Sequence, residues 1–275
     1  MDEVDGKHYN GSHYWVTLVR KSSRKEGSSV NTINYDNIDY AVREDLVAAQ
    51  NEAWNRIAAP GDWLDGSRRV AVAEEVRQAL SCSLCAKCKD ALSPYAVDGE
   101  HDSVTDLSAA EIDLIHRLST DPGRTSKQWV GDMLTGSMSE EEYIEIVSIV
   151  CIVAVTDAFT RAVGAPEHTL PEPQLGKTAG YRSAAAKMYA TWLPYVEVDD
   201  VGPEDGHLYD NPQEPPVVKA LSLVPDAKRA FWDLADANYL PATAVFDLDT
   251  ELRAISRMQM ELLAARVASV HQCTY

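Results

Sequence analysis

The sequence predicts an all-α fold built from duplicated helical units. Apolar residues recur at the three- and four-residue spacing of amphipathic helices along most of the chain. Two capping boxes, Ser108 with Glu111 and Ser139 with Glu142, mark helix starts, because each hydroxyl and carboxylate can satisfy free backbone amides. No segment alternates polar and apolar residues over the length of a useful strand. A helical pattern leads into cysteines twice, at residues 68–92 and 252–275, which suggests the duplication.

The N-terminal part of the chain divides into a flexible extension and a first helical unit. Residues 1–35 are rich in Ser, Asn and charge and show no sustained period, so we expect a flexible extension. Residues 36–165 form the first unit. Its first helix is predicted from Ile38 to Ile57, closed by Pro60 and Gly61, and its second runs from Ser67 through the cysteines to Pro94.

A long apolar helix is predicted between the second capping box and Gly164-Ala165-Pro166, which is a helix stop signal. Polar residues such as Glu145 and Asp157 interrupt its apolar run, which is too short and too polar to cross a membrane. The sequence therefore favours a buried core helix for this segment.

The rest of the chain is predicted to be a connection and a second unit. Residues 166–216 are rich in proline and acidic residues, and hold one predicted helix over 181–192. Residues 217–275 form a second, apparently truncated helical unit, whose final helix is expected to start at Asp249 or Thr250 and to pack as part of a buried hairpin.

Composition narrows the classes of partner. Asp and Glu outnumber Lys and Arg by 43 to 25, for a formal net charge of -18. Such a chain repels phosphate backbones and anionic lipid surfaces, so we expect neither nucleic acid nor a membrane as partner. The N-terminus lacks the apolar stretch of a secretion signal, which predicts a cytoplasmic location. Five cysteines, an odd number, suit redox or metal chemistry in a reducing compartment better than a disulfide scaffold.

Three cysteines are clustered at Cys82, Cys85 and Cys88, just after Glu74 and Glu75. A helix start near Ser81 would lower the pKa values of the first two thiols, which favours a redox pair. The three thiols with His101 could instead bind zinc, although three cysteines on one helix drift around its axis. Inert packing is the third interpretation. Cys151, within the apolar helix, is interpreted as a core residue.

The strongest sequence clue to function is Cys273, near the end of the final helix, with Glu261 on the same helix. A break at His271-Gln272 would place Cys273 at a helix start, where backbone amides lower a thiol pKa. A carboxylate such as Glu261 could relay the proton.

These residues resemble a known family. Glu261 followed twelve positions later by Cys273, together with the long helix that starts at Ser139, is similar to the alkylhydroperoxidase D-like group of the carboxymuconolactone decarboxylase superfamily. The resemblance covers roughly residues 65–165 and 217–275. That family's motif is Glu, then Cys-x-x-Cys, then His four residues later.

The resemblance implies a cofactor-free, metal-free homo-oligomer of helical units that reduces hydroperoxides or disulfides at the expense of a thiol electron donor. It implies catalytic roles for Cys273 and Glu261, with Cys82, Cys85, Cys88 and Glu75 as a second candidate site. The second cysteine of the motif would be residue 276. We hypothesise that a codon read as selenocysteine follows Tyr275; a truncated or degenerate paralogue is the alternative.

Two other functions remain open. One is a cofactor-free decarboxylase-like lyase of the same superfamily, which needs no reactive thiol. The other is a non-catalytic helical oligomer or metal-binding module.

Overall fold

The computed structural model describes residues 33–136, 138–189, 191–271 and 273. Within these ranges the chain is helical, and its only β pairing is an isolated antiparallel bridge between Lys187 and Tyr195. The all-α prediction is therefore confirmed. The α-helices are α1 Glu44–Ala58, α2 Gly66–Ala79, α3 Ser83–Asp90, α4 Ala109–Thr120, α5 Lys127–Gly136, α6 Glu140–Ala162, α7 Pro216–Lys219, α8 Pro225–Asn238 and α9 Arg257–Val270.

The core lies among α1, α2, α4, α6 and α8. Helix α2 packs against α4 and α6, and α8 packs against α1 and α6. Fully buried side chains from these helices meet in one cluster, among them Trp54, Val72, Leu114, Ile146 and Leu234. Burial of this apolar surface is the main force that holds the helices together.

Helix α6 is the central helix of this core. The predicted capping box at Ser139 is present, with Glu142 returning a hydrogen bond to the cap, and Gly164 ends the helix with a φ of 72°. Such a positive φ favours glycine. Contrary to the expectation from the sequence, α6 is long and apolar enough to cross a membrane, the one such helix among the described residues, but 67% of its apolar window is buried inside the protein. That burial is typical of a core helix.

Two buried ion pairs attach α6 to the rest of the chain. Glu145 accepts hydrogen bonds from the backbone of Asp62 and Leu64 and lies 3.1 Å from the Arg69 guanidinium. Arg77 on α2 forms a two-pronged ion pair with Asp157. The polar residues that interrupt the apolar run of α6 therefore hold the loop after α1 and the helix α2 in place.

The start of the described chain differs from the prediction. Most of the expected extension, residues 1–32, lies outside the described residues. Ile33 and Tyr35, by contrast, are buried, and Ile33 exchanges two backbone hydrogen bonds with the side chain of Asn51 on α1. Residues 33–35 thus belong to the folded unit.

The predicted helix at 181–192 was wrong. Residues 181–189 and 191–192 form turns and bends, and the backbone amide of Ser183 donates to the carbonyl of Leu223. Lys187 pairs with Tyr195 instead of closing a helical turn. Pro194 contributes to this outcome, because the residue before a proline is disfavoured in helical conformation.

The final helix also differs from the prediction. It begins at Arg257, with Ser256 and Gln259 as its capping box, because the Asp247 carboxylate ties Asp249 and Thr250 into a turn. Its apolar side chains are largely exposed, among them Met258, Leu262 and Val267. The expected buried hairpin is therefore absent from the described part of this single chain, and the predicted homo-oligomer stays a prediction.

Candidate metal centre

Four potential ligands from three parts of the chain meet beside the core. Cys82 is the residue that caps the start of α3, and Cys85 lies in the first turn of that helix. His101 comes from the loop after α3, and His116 from α4. One donor atom from each lies within 4.8 Å of all the others. Both cysteines and His116 are buried, and His101 is half-buried.

The distances between donor atoms are short and similar. Cys85 Sγ lies 3.4 Å from His116 Nδ1 and 3.5 Å from His101 Nδ1. Cys82 Sγ lies 3.6 Å from His101 Nδ1. Both imidazoles therefore turn Nδ1 towards the sulfurs and Nε2 away from them.

Each outward nitrogen meets a carboxylate. His116 Nε2 lies 2.8 Å from Glu75 Oε2, and both side chains are completely buried. His101 Nε2 lies 3.2 Å from Asp113 Oδ1, whose other oxygen accepts a hydrogen bond from the indole of Trp129. A carboxylate on the far nitrogen fixes the orientation and the tautomer of an imidazole.

Glu75 also organises the loop that carries His101. Its second oxygen accepts hydrogen bonds from the hydroxyls of Ser103 and Thr105 and from the amides of Val104 and Thr105. Burial raises the pKa of the Glu75 carboxyl, but these bonds and the one with His116 outweigh it and lower that pKa to about 2. Glu75 is therefore ionised, and it joins α2, the loop and α4.

The start of α3 places the two sulfurs. Helix α2 ends at Ala79, with Leu80 as its C-cap, and the chain turns through Ser81 before Cys82 caps α3. Asp102 contributes from the loop, since its carboxylate accepts a hydrogen bond from the Ser83 amide and its own amide donates to Cys82 Sγ. The i, i+3 spacing then puts Cys85 on the same side as Cys82.

The thiols and imidazoles of this site shift one another's pKa values. Burial raises the pKa of the Cys85 thiol, but hydrogen bonds with His101 and His116 lower it overall to about 6. Burial lowers the pKa of His101, but Asp113 and the two sulfurs raise it overall to about 10. Without a metal, the arrangement therefore favours thiolate beside imidazolium. A metal ion would displace these protons from the histidines.

The third clustered cysteine stands apart from this group. Cys88 is half-buried, and its thiol donates a long hydrogen bond to the Pro94 carbonyl. With Cys85 and His101 it lines a crevice of about 10 Å³, which is the size of one water molecule. The crevice is the place where a molecule of about the size of water can approach Cys85, which is otherwise buried.

The structure brings together four of the residues that the sequence singled out, namely Glu75, Cys82, Cys85 and the possible zinc ligand His101. His116 and Asp113 were missed, because nothing near them in sequence marks them. The one available signal was a Cys-x-x-Cys pair followed by two histidines, one before and one after the capping box at Ser108. The spacing of such ligands varies widely among zinc sites.

The predicted principal site, Glu261 with Cys273, lies on the exposed final helix and beyond its end. Glu261 is exposed and accepts hydrogen bonds from Tyr239 and Arg257. Cys273 is exposed beyond the C-terminal end of α9, where its amide donates to the Ala268 carbonyl. At about 1.5 Å of rise per residue, Glu261 lies roughly 14 Å along the helix from Val270. The two side chains are therefore not brought together in the described chain.

Comparisons with protein-family models, with curated proteins and with solved structures found no match to this chain.

Proposed function

We propose that Cys82, Cys85, His101 and His116 together bind one Zn²⁺ ion. The observation that carries the proposal is the set of sulfur–nitrogen distances, 3.4, 3.5 and 3.6 Å. With bonds of about 2.3 Å to sulfur and about 2.0–2.1 Å to nitrogen, the sulfur–nitrogen edge of a zinc tetrahedron is roughly 3.5 Å. Three of the six edges between the donor atoms therefore have about the length that a zinc tetrahedron requires, and all four atoms lie within 4.8 Å of one another.

The donor set and its surroundings favour zinc over hard cations. Thiolate and imidazole suit zinc, whereas calcium and magnesium prefer oxygen ligands. Glu75 and Asp113 hold the outer nitrogens of the two histidines, which is the arrangement that orients histidine ligands on zinc. Four protein ligands leave no open position, so the proposed role is structural. The ion would fasten α3 and the loop through His101 to α2 and α4.

Metal analysis tests this proposal. We expect one zinc per chain in protein purified without chelator, and loss of that zinc in Cys82→Ser and His116→Ala variants. Matched controls are Cys273→Ser and His207→Ala, which change an exposed thiol and an exposed imidazole elsewhere. Cobalt in place of zinc should show thiolate-to-metal absorption that the Cys82→Ser variant weakens. Equal zinc contents in wild type and both site variants would contradict the proposal.

A second candidate function is thiol-dependent reduction of hydroperoxides or disulfides at Cys82 and Cys85. The observation that favours it is the continuous chain from Glu75 through His116 to Cys85, with contacts of 2.8 and 3.4 Å. Such a chain can move a proton to or from a reacting sulfur. The crevice at Cys85 has the size of one water molecule, and the adjacent Cys82 is a partner thiol.

The reaction would proceed in two steps. The Cys85 thiolate attacks the terminal oxygen of a hydroperoxide, the O–O bond breaks, and the alkoxide takes a proton from the imidazolium of His116 and leaves as an alcohol. Cys85 is thereby oxidised to a sulfenic acid. Cys82 then attacks that sulfur, water leaves, and a disulfide forms. A thiol electron donor regenerates both thiols by exchange.

Mass spectrometry of metal-free protein tests this second candidate. One equivalent of hydrogen peroxide, which is close to water in size and leaves water in place of the alcohol, should give a Cys82–Cys85 disulfide, and Cys85→Ser should abolish it. Cys273→Ser should leave the reaction unchanged, because its thiol lies outside the cluster. Oxidation that occurs first at Cys273, with Cys82 and Cys85 unmodified, would count against it. Zinc-loaded protein should react more slowly, which separates the two functions.

The site expected from the resemblance, Glu261 with Cys273, remains a separate proposal. Its test is mass spectrometry after stoichiometric peroxide, where a Cys273 that stays reduced would refute it.

A further inference from the structure

A lysine is buried far from the thiols, on α8. Lys228 is 5% exposed, and its ammonium donates a hydrogen bond to the Leu208 carbonyl. The nitrogen also lies 4.9 Å from the ring of Tyr209 and 5.7 Å from that of Trp232. Among the described residues no carboxylate lies within ion-pair distance of it. A buried lysine without a paired carboxylate is unusual.

This lysine lines a cavity of about 370 Å³ between α8, the loop through 207–218 and the segment 240–246. Most of the wall is apolar, with contributions from Leu208, Val218, Trp232 and Leu240, and Phe246 stands exposed at its edge. A concave, mainly apolar cavity with a few polar groups is the usual form of a small-molecule site.

The polar groups of the cavity limit the chemistry of a ligand. The indole nitrogen of Trp232 is buried without a hydrogen-bond partner. The acids Asp210, Glu214, Asp233 and Asp236 also line the cavity. A ligand with a hydrogen-bond acceptor near the indole and the lysine would therefore fit, while the acids would repel a negatively charged ligand. A neutral carbonyl group on an apolar body satisfies both conditions.

We propose that this cavity binds a small apolar aldehyde or ketone and that Lys228 forms an imine with it. The unprotonated amine attacks the carbonyl carbon, and a carbon–nitrogen bond forms in a carbinolamine. The hydroxyl group of that intermediate takes a proton and leaves as water, and the nitrogen gives up a proton as the C=N bond forms. No oxidant or reductant is needed, and water is the only other product.

The surroundings of Lys228 support this chemistry. Burial lowers the pKa of the ammonium, and the carboxylates of Glu214, Asp236, Asp210 and Asp233 only partly offset that effect. A lower pKa leaves a larger fraction of the amine unprotonated near neutral pH. Burial also raises the pKa of Asp236 to about 6, so that this acid can hold the proton that the leaving water requires.

Reductive trapping of the intact protein tests the proposal. Hexanal is added near pH 7 with cyanoborohydride, and peptide mass spectrometry follows the alkylation of each lysine with time. We expect Lys228 to be labelled faster than the exposed Lys177 and Lys89. In urea this preference should disappear, because the cavity no longer exists.

Competition shows whether the cavity is responsible. Excess 1-hexanol, which has the same apolar body but no carbonyl, should slow the labelling of Lys228 and leave that of Lys177 unchanged. A Lys228→Met variant with wild-type circular dichroism should lose the fast label, and Lys177→Arg should keep it. Labelling of Lys228 no faster than that of Lys177, or insensitive to hexanol in the wild-type protein, would overturn the proposal.

Discussion

The two carboxylate oxygens of Glu75 make different contacts, and two substitutions distinguish what each contact contributes. One oxygen holds the loop at Ser103–Thr105, and the other meets His116. Glu75→Ala removes both sets of contacts. Glu75→Gln retains an oxygen for the loop but places an amide group, which only donates, against the histidine.

The structure sets the size of each effect. Glu75 is completely buried, and removal of one partner from a buried charged network costs about 3–5 kcal/mol, because the remaining groups stay unpaired. We therefore expect Glu75→Ala to lower the free energy of unfolding by about 4 kcal/mol. Glu75→Gln loses one charged hydrogen bond, which corresponds to about 1.5–3 kcal/mol. Exposed Glu74 is the control, and Glu74→Ala should change stability by no more than about 0.5 kcal/mol.

Urea unfolding of metal-free protein measures the stability changes, and competition with a chelator measures the zinc affinity. Loss of the carboxylate that orients a histidine ligand weakens metal binding by about 10- to 100-fold. Glu75→Gln should therefore weaken zinc binding while it keeps most of the stability, and Glu74→Ala should change neither. Equal stabilities for Glu75→Ala and Glu74→Ala would refute the role assigned to the buried carboxylate. Unchanged zinc affinity in Glu75→Gln would refute the orientation of His116.

Three further predictions concern the rest of the fold. Burial, together with neighbouring carboxylates, raises the pKa of Asp62 to about 6, so the folded state holds a proton that the unfolded state releases. The free energy of unfolding should therefore fall by up to about 3 kcal/mol as pH rises from 3.8 to about 6. An Asp62→Asn variant should lack that fall in urea titrations, and a variant with the same pH profile as the wild type would contradict the shift. Iodoacetamide near pH 7.5 should modify exposed Cys273 well before Cys151, because burial raises the pKa of the Cys151 thiol to about 11. Mass spectrometry of the native protein measures the order, and modification of Cys151 first would contradict the prediction. Ser148→Ala should cost about 1 kcal/mol in urea unfolding, because its buried hydroxyl donates to the Ala227 carbonyl and joins α6 to α8; a Ser119→Ala variant, whose hydroxyl bonds only within its own helix, should cost less.

Local signals in the sequence predicted the helices well where caps and apolar spacing agree. Both capping boxes, at Ser108 and Ser139, are present, and Gly164 ends α6 as expected. These signals depend on residues a few positions apart, so they do not require knowledge of the rest of the fold. The helix predicted at 181–192 depended on small residues that would share one helix face, and it is absent because tertiary hydrogen bonds compete for the same backbone.

The sequence by itself determined the helical class, the central apolar helix and the Cys-x-x-Cys pair at Cys82 and Cys85. Only the tertiary structure decided which groups those two sulfurs meet. His101 arrives on a loop tied to Glu75, and His116 arrives because α4 packs against α2. The physical reason is that helical hydrogen bonds and caps act between residues a few positions apart, whereas a four-ligand cluster depends on how separate helices bury their apolar faces against one another.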